Sequence, residues 1–206
     1  ARNSHSVTMN CDEAHWCCTM RGGEGLGRAA DYTAFKKDNE LAIPFFRSVK
    51  VAEKLKAGDV NIEMSTEYPF GNGVSVNVKA APDKKITLSL EKTSWMKNYV
   101  VKVNGKSVKY DDADGLAKVT RRFKAGDKLT VSFEMAPRYE GMVNSENSNP
   151  GDFRVMYGPL VLACGVGDDT NVAYGEEFGG SVRESFKGNK SGVVLSPLYH
   201  LMSPKV

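Results

Sequence analysis

Three cysteines, at positions 11, 17 and 18, fall within eight residues, and His15 and Trp16 stand directly before the adjacent pair. Thiolates bind zinc at about 2.3 Å, and the ion tolerates irregular tetrahedral geometry. Two consecutive side chains in a loop that enters a helix can therefore converge on one metal. Cys17 and Cys18 supply at most two ligands. Cys11, His15, Glu13 and His5 are at hand to complete a local shell, although the spacing matches no familiar structural zinc motif. A thiol beside a metal at a helix start has a lowered pKa and is a better nucleophile. Two plainer readings stand beside this one: Cys17 and Cys18 as buried free thiols, or a Cys11–Cys17 disulfide across a small loop. Cys164, inside LVLACGV, reads as a strand core residue.

The glycines that follow, in RGGEGLG, invite a phosphate-loop reading that fails on context. No strand precedes them, and no Lys-Ser or Lys-Thr follows. They suit a tight turn that brings backbone close to a ligand or a neighbouring helix. Glu24 is a candidate substrate contact, or simply a carboxylate placed at a helix start where the dipole favours it. Trp16 is likewise a candidate for stacking on a sugar face or for core packing, whereas Trp95, near Tyr99, reads as core.

The elements that must position these residues follow from periodicity. GLGRAADYTAF, Gly25 to Phe35, spaces Leu26, Ala29, Ala30, Thr33 and Ala34 as one short helix. From LAIPFF onward the period becomes two. Val60, Ile62 and Met64 alternate with polar residues, as do Val74, Val76 and Val78, then Ile86, Leu88 and Leu90, then Leu129, Val131, Phe133 and Met135. Asn104-Gly105 between two such runs predicts a hairpin with a two-residue turn. Regular short strands with one dry face each predict a β-sandwich. MVNSENSNPGD reads as a loop or linker, and FRVMYGPLVLACGV as a nearly continuous apolar strand interrupted at Gly158-Pro159. The stretch GDDTNVAYGEEFGGSVRESFKGNKSG reads as too polar and glycine-rich to pack much.

Composition sets the outer limits. The 206 residues suffice for one good-sized domain or two small ones. Lys and Arg number 28 against 25 Asp and Glu, a net charge of +3, with no basic stripe, so nucleic acid is not expected as a partner. No apolar run approaches the ~20 residues that span a bilayer, so no membrane partner is expected. ARNSHSVTMN lacks the order of a signal peptide. Periplasmic, secreted and cytoplasmic locations all stay open.

Several segments, taken in order, resemble a known family. WCCT with its glycine-rich helix start, then LAIPFF, EMSTEYPFGNGVSVNV, SLEKTSWMKNYVVKVNGK and RVMYGPLVLA, with PLYHLM near the end, are similar to the β-L-arabinofuranosidase group, glycoside hydrolase family 127 and its relatives. The order and spacing carry the resemblance, which runs from residue 15 to 164. It implies a mainly β fold, an antiparallel, jelly-roll-like β-sandwich preceded by a short helical remnant of an (α/α)6 barrel. The divisions expected are a barrel remnant over 1–40, the sandwich over 41–136, and a linker with a further, partly irregular β segment over 137–206.

For the chemistry, the resemblance implies a retaining hydrolysis in which a zinc-bound cysteine attacks the anomeric carbon and a glutamate acts as acid and base. Cys17 would be nucleophile and zinc ligand, and Cys18 a second ligand. The further zinc ligands, a glutamate and a cysteine, and the acid/base glutamate would come from an upstream barrel of the same chain. Thr19-Met20-Arg21 departs from the two prolines that many members carry there. The expectation is therefore the C-terminal fragment of a zinc-dependent glycosidase acting on an arabinose-containing glycan, inactive by itself. Whether the fragment holds zinc without the upstream ligands stays open.

Two other functions are compatible with the sequence. One is a non-catalytic carbohydrate-binding or scaffold sandwich using Trp95, Tyr99 and Tyr139. The other is a small zinc or redox module built on Cys11, His15, Cys17 and Cys18.

Overall fold

The computed structural model describes residues 23–25, 27–141, 151–165 and 172–202. Seventeen strands lie among them, in three sheets. The first contains β1 (Phe35–Lys37), β2 (Glu40–Ile43), β6 (Lys85–Glu91), β10 (Leu116–Arg122) and β9 (Asp111–Ala113), in that order across the sheet. The second contains β3 (Val49–Leu55), β4 (Gly58–Thr66), β5 (Gly73–Ala80), β11 (Lys128–Glu134), β7 (Lys97–Val103) and β8 (Lys106–Ser107). The fold is mainly antiparallel β. Its parallel pair, β2 with β6, arises because the chain leaves the first sheet after β2, builds β3 to β5 in the second, and returns.

The alternation read from the sequence is what closes the first two sheets over one core. Val60, Ile62 and Met64 on β4 are buried, as are Val74, Val76 and Val78 on β5, and Leu129, Val131 and Phe133 on β11. Register brings these dry faces side by side: Ile62 pairs with Val78, Met64 with Val76, and Val76 with Leu129. Facing them across the sandwich are Leu41 and Ile43 of β2, Ile86, Leu88 and Leu90 of β6, and Val119 of β10. Asn104 and Gly105 link β7 to β8 with φ of 50° and 80°, the two positive values a type I′ hairpin needs.

A third sheet follows: β12 (Pro137–Gly141), β13 (Phe153–Tyr157), β14 (Leu160–Ala163), β17 (Val194–Pro197), β16 (Phe186–Gly188) and β15 (Phe178–Gly180). It has its own core of Val155, Leu162, Val182, Phe186, Val193 and Leu195, and a short helix α1 (Leu198–Met202) packs near β14 and β17. Among the described residues no helix is long and apolar enough to cross a membrane.

Two expectations need correction. The helix read from Gly25 to Phe35 is shorter, with helical backbone at 23–25 and 27–28, turns over 29–32, and strand from Phe35. The reason is local. Asp31 N–H bonds the Arg28 carbonyl at 2.9 Å, Thr33 N–H bonds the Ala30 carbonyl at 3.1 Å, and the Thr33 hydroxyl bonds Ala30 again at 2.6 Å. These i to i−3 bonds close turns instead of extending a helix.

The second concerns the glycine-rich stretch, which packs over its described part. Val182 and Phe186 are buried, and the chain forms the β15–β16 hairpin. Glu176 is also buried, its Oε1 accepting the backbone N–H groups of Lys190 and Ser191 at 2.6 Å each. These bonds, the Ser191 N–H foremost, hold its carboxyl below the usual glutamate range. A few buried apolar residues and one capped carboxylate are enough to order a stretch that its average composition describes as loop.

Candidate functional site

The cysteine pair and its neighbours, Cys11, Glu13, His15, Trp16, Cys17 and Cys18, lie outside the described residues, as does His5. Glu24 is exposed in the first helical turn and pairs with Arg28 at 3.0 Å, the i,i+4 arrangement of a helix-surface ion pair. Among the described residues no group of three or more His, Cys, Asp or Glu side chains is placed to hold a metal ion. Cys164 follows β14, half-buried against the second core. His200 sits on α1 with Nδ1 3.2 Å from the Glu184 carbonyl oxygen.

The other aromatics singled out from the sequence are engaged internally. Tyr99 stacks on Phe133 with ring centroids 6.0 Å apart, and its hydroxyl donates to the Glu91 carbonyl at 2.9 Å. Tyr139 donates to the Glu176 carbonyl at 2.8 Å and lies 5.1 Å from the Phe153 ring. Trp95 packs against the sandwich core with the Arg138 guanidinium 4.5 Å above its ring. None of the three is a bare platform.

Chemistry-bearing groups do converge at the junction of the sandwich with the third sheet. Glu91, at the end of β6, is 8% exposed, and its Oε2 accepts the Phe46 N–H at 3.0 Å. Burial raises its carboxyl above the usual glutamate range, partly offset by that N–H. Among the described residues the Tyr68 hydroxyl and the Trp95 indole nitrogen, both buried nearby, have no hydrogen-bond partner. Burial, with the Glu91 charge second, pushes the Tyr68 hydroxyl well above its ordinary range. On the third-sheet side, Arg138 donates to the Gly158 carbonyl at 2.6 Å and forks onto Glu140 Oε1 at 3.1 and 2.5 Å.

Beside this cluster the turn after β4, Glu67 to Asn72, faces the β15–β16 hairpin. Arg183 at the hairpin tip donates to Glu67 Oε2 at 2.7 Å, and its guanidinium lies 5.6 Å from the Phe70 ring centroid. A cleft of about 450 Å³ opens between the two, with Phe70, Asn72, Pro137, Tyr157, Phe178 and Arg183 in its walls. Sequence reading missed this junction. Its faint signals were the aromatic-flanked proline in EYPF and a lone acid ending the apolar run SLE.

Comparison with known proteins places this architecture. Residues 40–135 match the family model described as beta-L-arabinofuranosidase, GH127 middle domain. Three solved structures share the fold. One is a GH127 beta-L-arabinofuranosidase from Geobacillus stearothermophilus T6, at 20% identity and a TM-score of 0.62, covering 76% of this chain and 27% of that one. A second, described as a glycoside hydrolase, gives 21% identity and a TM-score of 0.62, with 72% and 25% covered. A third, a GH127 beta-arabinofuranosidase, gives 20% identity and a TM-score of 0.67, with 89% and 36% covered. The chain thus spans between a quarter and about a third of the length of these structures. Among curated proteins, none matches. The resemblance to glycoside hydrolase family 127 therefore holds for this part of the chain, and residues 40–135 match its middle domain.

Proposed function

We propose that this chain is the C-terminal part of a retaining glycoside hydrolase that acts on β-L-arabinofuranosides or a related sugar, and that its sandwich supports a catalytic barrel. The observation that carries the reading is the match of residues 40–135 to the GH127 middle domain, preceded at 16–19 by the WCCT segment. In this reading the last piece of the barrel lies ahead of β1, and the sandwich runs from β1 to β11.

Cys17 is the nucleophile, attacking the anomeric carbon, and Cys18 helps hold the metal; two adjacent thiols are a donor set that suits zinc. When bound, zinc supplies positive charge that keeps the Cys17 sulfur ionised at neutral pH. Trp16 and Glu24 flank the sugar. Cys17 then serves as the leaving group when water completes the hydrolysis, which preserves the anomeric configuration. The acid/base glutamate and the remaining metal ligands belong to the rest of the parent, so the chain alone is inactive.

The test is hydrolysis by the full-length parent on aryl α- and β-L-arabinofuranosides and related aryl glycosides, with the product anomer followed by proton NMR. Turnover of a β-L-arabinofuranoside with first-formed β product supports the reading. An inverted product, or turnover by the isolated chain, sinks it.

A further inference from the structure

Five large aromatic rings stand exposed among the described residues, and three of them fall between residues 32 and 45: Tyr32 at 50%, Phe35 at 49% and Phe45 at 57%. β1 is the edge of the first sheet, and Phe35 pairs with Ala42 of β2, while Leu41 and Ile43 on either side of Ala42 are fully buried. Side chains alternate along a strand, so Phe35 points away from the sandwich core. Beyond the end of that ladder the two segments stay together. Arg47, two residues past Phe45, donates from Nη2 to the Ala29 carbonyl at 2.6 Å and to the Thr33 hydroxyl. The Tyr32 and Phe35 ring centroids are 6.3 Å apart. The three rings therefore bracket one edge of the sandwich, where the chain enters it.

Half-exposed rings of about 200 Å² each leave roughly 300 Å² of aromatic surface, the size at which a patch on a soluble protein marks an interaction site. The charges around it are already matched within the chain. Lys36 pairs with Glu53 at 2.6 Å, Arg28 with Glu24 at 3.0 Å and Asp38 with Lys56 at 2.6 Å. A covering surface needs apolar groups and brings no counter-charge, which argues for a protein surface over nucleic acid or an acidic peptide.

The occupant follows from what is tethered there. This chain spans between a quarter and about a third of the solved structures that share its fold, so most of their length lies outside it. In the function proposed above, a catalytic domain stands ahead of β1 and carries Cys17. Fifteen residues join Cys17 to Tyr32, a reach of at most about 50 Å even when fully extended. A domain on so short a tether is held beside this edge at an effective concentration in the millimolar range, far above what a second copy reaches.

We infer that the aromatic edge of Tyr32, Phe35 and Phe45 is the seat of that upstream domain, whose own apolar surface covers the three rings. The domain's presence rests on the proposed function.

The test compares hydroxyl-radical footprinting of the 206-residue chain and of the full-length parent, read by mass spectrometry at each ring. Tyr32, Phe35 and Phe45 are expected to oxidise at least about threefold more slowly in the parent, because the core of an interface excludes water. Phe35→Asp combined with Phe45→Asp in the parent should return Tyr32 to its rate in the shorter chain. Both rings are half-exposed, so the same pair of substitutions should leave the Tm of the 206-residue chain unchanged to about 2–4 °C. Equal rates in the two proteins, or Tyr32 protection that survives the double substitution, overturn the seat. Rates that fall in the shorter chain as its concentration rises, the mark of a second copy, overturn it too. Hydrolysis by the same parent is assayed separately. Retaining turnover with the three rings equally reactive in both proteins overturns this inference and leaves the proposed function standing. Protected rings in a parent that does not cleave β-L-arabinofuranosides do the reverse.

Discussion

Glu91 Oε2 accepts the backbone N–H of Phe46 at 3.0 Å, tying the end of β6 to the loop after β2 inside the sandwich. The carboxyl is buried there beside the Tyr68 hydroxyl, and burial raises its pKa above the ordinary glutamate range. A group whose pKa is raised on folding contributes stability that is complete below its unfolded value, about 4.3, and lost as pH rises through the folded value. Glu91→Gln keeps an acceptor for Phe46 and stays neutral. Its Tm should exceed that of the wild type at pH 7, and the gap should close below about pH 4. Parallel Tm curves for the two proteins from pH 4 to 8 would show that Glu91 is not the titrating group.

Phe133 carries the aromatic centre of the sandwich. It is 4% exposed and stacks on Phe46 at 5.9 Å and on Tyr99 at 6.0 Å. Phe133→Ala leaves a cavity that a packed two-sheet core cannot collapse to fill. The expected loss is about 3–5 kcal/mol, read from urea denaturation. A loss under about 1 kcal/mol would mean that the stack is not part of the cooperative core.

Gly180 ends β15 with φ of 134°, and a Cβ built there would lie 2.1 Å from the Ser185 carbonyl oxygen. No other residue fits without opening the hairpin. Gly180→Ala should abolish amide protection at Ser181–Ser185 while the sandwich strands keep theirs, as hydrogen exchange would report. Retained protection at the tip would place the hairpin's stability elsewhere.

The sandwich was legible because its strands carry the signal that a half-buried sheet must carry. Val60, Ile62 and Met64, or Val74, Val76 and Val78, can face one way only at a period of two. The Asn104-Gly105 turn was equally readable, and Asp114-Gly115, with φ of 59° and 73°, offered the same signal between β9 and β10. What escaped were features set by residues distant in the chain. The parallel pairing of β2 with β6 depends on where the chain returns, and Glu67 meets Arg183 across 116 positions. The third sheet was underestimated because Val182 and Phe186 bury themselves among glycines whose average hides them. Local bonding at Ala30 and Thr33 shortened the helix that periodicity extended. The cysteine segment was the clearest chemical signal in the sequence, and it lies outside the described residues.

The most direct test of the proposed function joins metal content to turnover in the full-length parent, wild type beside Cys17→Ala. The account predicts about one zinc per wild-type chain and hydrolysis of a β-L-arabinofuranoside, with Cys17→Ala losing turnover by a factor of about 10³ or more. Wild-type protein that turns over without zinc, or a Cys17→Ala variant that retains activity, would contradict it.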